Sequence, residues 1–239
     1  MAKYSFASLI VEMNIRYEPL KSQALPYEIK EETLEDVSIP LMDEMINKYH
    51  TLYPHLSIGE CEYVLYGAYF YKELLKHGGI LLHSSCVVKD NQAYLFSAPS
   101  GTGKSTHTSL WLKYFDDAKI LNDDKPALII KNGTLYACGT PFSGKTNLSL
   151  NEEYKVKGIA FLQRSKDNWI KEMPSSKAIY SILNQTIRPN SEDVMDKAIK
   201  IIEEIVNLTK IYEFGCNISL DAVKVSYEAM SNENWCNRV

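Results

Sequence analysis

The sequence predicts a mixed α/β fold, in which several hairpins surround one strand–loop–helix unit. Three observations carry that expectation. The apolar run 93–97 leads through a glycine-rich loop into a helix-spaced set, Leu110, Trp111, Tyr114 and Phe115. Asn132-Gly133 splits two β-rich runs, and Asp90, Asn91 and Gln92 separate two others, both hairpin signals. The order of strands and helices also lacks the regular βαβαβ alternation of a doubly wound sheet.

Each element has its own reason. Residues 4–15 read as one strand, with Tyr4, Phe6, Leu9 and Val11 among β-favouring neighbours. Residues 16–40 are polar, carry Pro19, Pro26 and Pro40, and predict a long excursion with short strands at best. A strong helix is expected over 59–77, with Glu60 near its start, Tyr66, Phe70 and Leu74 on its apolar side, and Gly78-Gly79 as its stop. Strands follow at 80–89 and 93–97, paired as a hairpin, then the helix 104–115 and a short strand 118–121 ending at Asn122-Asp123-Asp124. Runs 127–130 and 134–138 form the next hairpin, and 156–163 a further strand. Helices fit 175–186 and 191–208, the second with Val194, Ala198, Ile201, Ile205 and Leu208 on one face. A strand at 211–216 and a helix at 220–230 complete the pattern, without repeats or low-complexity tracts.

Composition sets the frame. The chain has 239 residues, 45% hydrophobic and 23% charged, enough for one large domain or one domain with an appendage. Its net charge of −4 gives no broad attraction to nucleic acid or to acidic membrane lipid. Five cysteines, Cys61, Cys86, Cys138, Cys216 and Cys236, form no C-x-x-C pair, which argues against a disulfide framework or structural zinc and for reduced thiols in a cytoplasmic protein. The first apolar run is too short for a signal peptide, and no uncharged stretch approaches the ~20 residues of a membrane span.

The chemistry concentrates at 98–105. Residues Ala98 to Ser105 match the Walker A pattern G-x-x-x-x-G-K-[ST], with Ala98 in place of the first glycine. Such a loop converges backbone N–H groups on phosphate oxygens, and the following helix N-terminus adds partial positive charge. Ser100, Gly101, Thr102, Gly103, Lys104, Ser105 and Thr106 are the expected nucleotide-binding residues. Gly101 and Gly103 permit the backbone angles, Lys104 reaches the β/γ phosphates, and the Ser105 hydroxyl is placed for Mg²⁺. Asp123-Asp124 follows a short strand about twenty residues later, where an acidic side chain can reach the metal and γ-phosphate. His83 stands fifteen residues before Ala98 on the partner strand, within reach of that acidic pair. Lys145 lies in the Pro/Gly/Ser turn 140–145 and is a candidate phosphate or substrate contact. His107 and Thr108 are candidates for lining the nucleotide site, while Arg164 and Arg188 read as surface charge with a transition-state cation as the alternative.

These residues together resemble the catalytic domain of HPr kinase/phosphorylase and, more broadly, the fold it shares with ATP-dependent phosphoenolpyruvate carboxykinase. The likeness covers about residues 79–165: His83 before the loop, Ser100 through Ser105, and the aspartate pair Asp123 and Asp124. The turn 140–145 with Asn147 and the stretch 156–159 resembles an HPr-kinase-like subfamily, some members of which phosphorylate ribosomally made peptides. The resemblance implies a phosphoenolpyruvate carboxykinase-like P-loop kinase core over 79–239, with 1–78 as a strand and helix region packed on it. At 155–158 this chain has Lys155, Val156, Lys157 and Gly158 where the bifunctional members have an acidic residue, an apolar residue, Arg and Gly. Neither the phosphorylase reaction nor HPr as acceptor is therefore carried over, and Lys157 is kept as a weaker substrate or phosphate contact.

The expected activity is a Mg²⁺- and ATP-dependent phosphotransferase acting on a hydroxyl, foremost Ser or Thr of a peptide or protein. His83, Lys104, Asp123 and Asp124 are the expected catalytic set. Asp123 is favoured as base and Asp124, with Ser105, for the metal, although sequence does not fix that order; His83 would orient or tune the base. A small-molecule hydroxyl kinase and a non-catalytic nucleotide-binding regulatory module are the alternatives, and the donor could be another nucleotide or pyrophosphate. The family resemblance implies homo-oligomers.

Overall fold

The computed structural model describes residues 1–31, 33–188 and 191–233, so Cys236 lies outside the described residues. The chain begins with a hairpin, β1 (Ala2–Phe6) and β2 (Leu9–Met13), where one strand over 4–15 was expected. Ala7 and Ser8 turn the chain with φ of 50° and 60°. That is the geometry of a two-residue hairpin turn, made here without the Asn-Gly or Asp-Gly that usually announces it. The excursion after it holds α1 (Leu20–Ala24), a 3-10 turn, β3 (Glu28–Ile29) and β4 (Val37–Ile39), and the four strands form a sheet in the order β3-β1-β2-β4.

Two helices lead to the second sheet. α2 (Asp43–Leu52) lies where no element was expected from sequence, although Met45, Ile46 and Tyr49 stand at helical spacing and pack on the core, Ile46 fully buried. α3 (Ile58–Lys76) starts on a capping box: the Ser57 hydroxyl accepts from the Glu60 N–H, and the Glu60 carboxylate accepts from the Ser57 N–H. The remaining elements are β5 (Gly79–Leu81), β6 (Ser84–Lys89), β7 (Gln92–Ser97), α4 (Lys104–Tyr114), β8 (Lys119–Asn122), β9 (Ala127–Lys131), β10 (Thr134–Cys138), β11 (Glu153–Arg164), β12 (Trp169–Glu172), α5 (Ser175–Asn184), α6 (Glu192–Leu208), β13 (Ile211–Cys216) and α7 (Leu220–Ser231). The expected single strand 80–89 is two, since β5 pairs with β9 while β6 pairs with β7 and β8. Leu82 and His83 leave the ladder between them and donate instead to the carbonyls of Pro126 and Gln185.

The second sheet is mixed. Its strands run β5-β9-β10-β11-β7-β6-β8, with β13 beside the later half of β11 and β12 beside β13. β11 is parallel to both β7 and β13, and the other pairings are antiparallel. Period two sorts its side chains onto two faces. Val87, Tyr94, Phe96, Ala160 and Leu162 pack with Trp111 of α4 and Tyr227 of α7, whereas Cys86, Val88, Ala93, Leu95 and Ile159 join the larger core with Phe70, Ile202 and Ile205. The larger core also takes Phe6, Val11 and Met13 of the first sheet, so both sheets share buried apolar surface. On α6 the buried face is Ala198, Ile202 and Ile205, while Leu208, expected on that face, is 37% exposed. Cys61, Cys86 and Cys138 are buried free thiols and Cys216 is half-buried. Among the described residues, no helix is long and apolar enough to cross a membrane.

Candidate active site

A cleft of about 1030 Å³ opens where β7 ends, between the glycine-rich loop and the N-terminal region. The loop leaves β7 at Ser97 and enters α4 at Lys104. Gly101 and Gly103 have φ of 75° and 124°, and an added Cβ would meet nothing within 4 Å at either. Backbone conformation, not crowding, therefore requires glycine at both. The first intrahelical bond of α4 is His107 N–H to Gly103 O, so the N–H groups just before it have no partner in the helix. No acidic side chain sits in that first turn, which leaves the positive end of the dipole available to an anion.

Lys104 is buried, and its Nζ donates to Ala98 O at 2.9 Å, folding the side chain back along the loop. Burial lowers its pKa, and the charges of Asp124 and Asp123 oppose that shift. Arg164, at the end of β11, donates through Nη2 to Gly101 O at 2.7 Å and holds the loop from outside. Ser100, Gly101, Gly103, Lys104, Ser105 and Thr106 line the cleft, whereas Thr102 does not.

The two aspartates are set differently. Asp123 is 8% exposed, and its Oδ1 accepts from Ser85 Oγ at 2.5 Å. Thr108 Oγ1 lies 2.8 Å from Ser85 Oγ, and its one proton also faces the carbonyls of Lys104 at 3.3 Å and Ser105 at 3.2 Å, so α4, β6 and Asp123 meet at these hydroxyls. Asp124 is more open. Lys125 Nζ, the Tyr63 hydroxyl and His83 Nε2 face its carboxylate at 3.3, 3.5 and 3.6 Å, none at the distance of a tight charge-assisted bond. The Tyr63 hydroxyl accepts from Gly144 N–H at 3.0 Å and so ties α3 to the 143–147 segment; burial first, then the Asp124 charge, pushes its pKa up.

His83 stands at the break between β5 and β6. Its Nδ1 lies 3.1 Å from Gln185 Oε1, an acceptor only, so Nδ1 carries the proton and Nε2 presents a lone pair towards Asp124. Burial and then the Lys104 cation draw its pKa below the ordinary value, against the pull of Asp124, so the ring is neutral at pH 7.

The cleft thus gathers His83, Lys104, Ser105, Asp123, Asp124 and Lys145. Its opposite wall comes from the N-terminal region, through Pro19, Gln23, Glu60 and Tyr63. Gln23 Nε2 donates to Gly144 O at 2.8 Å and ties α1 to the same 143–147 segment as Tyr63. Lys157 does not reach the cleft. It occupies the bulge of β11 between Val156 and Gly158, opposite Ala93 and Tyr94, while the loop begins beyond the Phe161–Ser97 pair, about 13 Å further along at ~3.3 Å per residue. His107 also turns away. It is buried between Phe96 and Phe214, with Nε2 accepting from Trp111 Nε1 at 3.1 Å, so it belongs to the core and not to the nucleotide site. Arg188 is exposed and bonds Asn184. Sequence reasoning missed Tyr63, Ser85, Gln185 and the loop contact of Arg164. The polar pair Ser84-Ser85 inside an apolar run was a signal for Ser85; nothing local marks Gln185.

No protein-family model matches the chain, and no curated protein matches it in sequence. Among solved structures the chain is similar to the HPr(Ser) kinase/phosphatase from Coxiella burnetii, with a TM-score of 0.38 and 11% identity over 64% of this chain and 95% of that one.

Proposed function

We propose that this cleft binds a nucleoside triphosphate, ATP in the first instance, with Mg²⁺, and transfers its γ-phosphoryl group to the hydroxyl of a peptide or protein serine or threonine. One observation carries the reading: a glycine-rich loop with an unneutralised helix N-terminus and a buried lysine shares one cleft with two aspartates and a neutral histidine. The loop amides and Lys104 supply the donors that offset phosphate charge. The residues fit a hard, oxygen-liganded cation, with the exposed Ser105 hydroxyl and the Asp123 carboxylate as the protein ligands. Among the described residues no cluster of three or more His, Cys, Asp or Glu forms a metal centre by itself, which suits an ion that takes most of its ligands from phosphates and water. When bound, Mg²⁺ would offset the negative charge of the phosphates.

We assign the base to Asp124, the opposite of the order that sequence favoured. His83 faces Asp124, and the Asp124 carboxylate is loosely held, whereas Asp123 is pinned by Ser85. In the reaction Asp124 takes the acceptor's hydroxyl proton, the acceptor oxygen bonds to the γ-phosphorus, and the bond to the bridging oxygen breaks to release the nucleoside diphosphate.

The test is label transfer from γ-labelled ATP to a degenerate Ser/Thr peptide library and to a panel of small polyols, with nucleotide affinity measured alongside. Lys104→Ala should lose nucleotide binding. Asp124→Asn should keep nucleotide affinity while transfer falls by about 10²–10⁴-fold, the scale of a lost general base. Transfer at the wild-type rate by both variants would refute the reading.

A further inference from the structure

A second cavity, of about 370 Å³, adjoins the first and is lined by Leu81, Lys125, Asn184, Gln185, Thr186 and Ile187. The two cavities share two lining residues, His83 and Asp124. We propose that this second cavity is the acceptor subsite, so that donor and acceptor reach the Asp124–His83 pair from opposite sides. The inference rests on the phosphoryl-transfer reading above and adds where the acceptor binds and which residues select it.

Three features favour it. The loop and Lys104 occupy the first cavity and not the second, so a triphosphate on the loop would leave the second cavity open. In-line transfer needs the nucleophile on the side of phosphorus away from the leaving oxygen, and an approach past Asp124 from the second cavity supplies a separate direction. The cavity is also built, not incidental. Gln185 O accepts from His83 N–H at 2.8 Å, and Thr186 Oγ1 donates to Leu81 O at 2.7 Å, which straps 185–186 onto the break between β5 and β6. Gln185 both lines the cavity and, through Oε1, fixes the ring of His83.

The lining names the ligand chemistry. Gln185 uses its oxygen on His83, which leaves its NH₂ group as a donor for a carbonyl; Asn184 adds a carboxamide, and Leu81 and Ile187 add apolar walls. Carboxamides between the aliphatic side chains of Leu81 and Ile187 suit the backbone amides of an extended peptide, and Lys125 adds a cation beside Asp124. Asn184, Gln185 and Thr186 are half-buried and Ile187 is 37% exposed, so the rim is open enough for a chain to enter and leave. The volume holds about one or two residues, at the small end of the ~300–1,000 Å³ of ligand pockets.

The experiment fills the cavity. Asn184→Trp and, separately, the rim variant Ile187→Trp are assayed in the full chain with γ-labelled ATP and the degenerate Ser/Thr peptide library. Kd for a fluorescent ATP analogue and the thermal melt are measured on the same samples. The expected result is label in peptides for the wild type, and a KM for peptide at least tenfold higher in a filled variant that melts like the wild type and keeps its nucleotide Kd within twofold. An unchanged peptide KM in both variants overturns the subsite. Label in small polyols and not in peptides overturns the ligand class. Failure of the wild type to bind the ATP analogue brings down the phosphoryl-transfer reading and the subsite with it, a result that the nucleotide measurement alone identifies.

Discussion

His107 should make the fold acid-sensitive in a way that one substitution removes. Burial alone pushes its pKa down to about 3, and the ring sits among Phe96, Phe214 and Trp111. Trp111 donates to Nε2, so the proton is on Nδ1, which is buried without a partner. Protonating Nε2 would set a second N–H against that indole donor. The unfolded chain takes up a proton below about pH 6.5 while the folded chain refuses it, so stability falls with decreasing pH. The slope approaches about 1.4 kcal/mol per pH unit between that value and the folded pKa, or about 2 kcal/mol by pH 5. For a chain of this size that is about 4–8 °C of Tm. His107→Gln keeps an acceptor for Trp111 and does not titrate. Urea or thermal unfolding of both proteins from about pH 7.5 to 5 isolates the effect from the carboxylates they share. The gap between them should shift by about 2 kcal/mol in favour of the variant on acidification. Parallel stability–pH curves would refute the buried, neutral ring.

Two further perturbations test how the N-terminal region supports the site. Glu62 is fully buried and accepts from the backbone N–H of Arg16 at 3.1 Å and of Tyr17 at 2.9 Å, with the Arg16 guanidinium beside it at 3.4 Å. Glu62→Ala strands those donors and should cost about 3–5 kcal/mol, read as a lower urea midpoint, and should loosen the cleft wall at Glu18 and Pro19. A midpoint equal to the wild type would show that the segment is held by something else. Tyr63→Phe removes the acceptor for Gly144 N–H and should destabilise by about 1 kcal/mol while raising the amide exchange rate of Gly144; unchanged exchange there would contradict the tie between α3 and the 143–147 segment.

Much of the site was legible because its chemistry is local. Gly101 and Gly103 need their φ values, Lys104 and Ser105 follow at fixed spacing, and Asp123-Asp124 ends a short apolar strand; none of this depends on distant contacts. The hairpins at 90–92 and 132–133 were legible for the same reason, since turn residues announce them. The Ala7-Ser8 turn was not, because neither residue signals a left-handed backbone. α2 was legible in the spacing of Met45, Ile46 and Tyr49 and was nonetheless not expected, whereas the break at Leu82 and His83 has no Gly, Pro, Asn or Asp to announce it.

Sequence alone determined the glycine-rich loop, the acidic strand end and the mixed α/β order, because these follow from backbone conformation and short-range spacing. Tertiary structure decided which aspartate meets His83, that Lys157 and His107 stand away from the cleft, that Tyr63 lines it, and that Gln185 holds the His83 ring from the neighbouring cavity. The physical reason is that strand register and the packing of α3 and α5 set those distances. His83 and Gln185 are 102 positions apart in the chain, and they become neighbours only when the β5–β6 break is strapped to the end of α5.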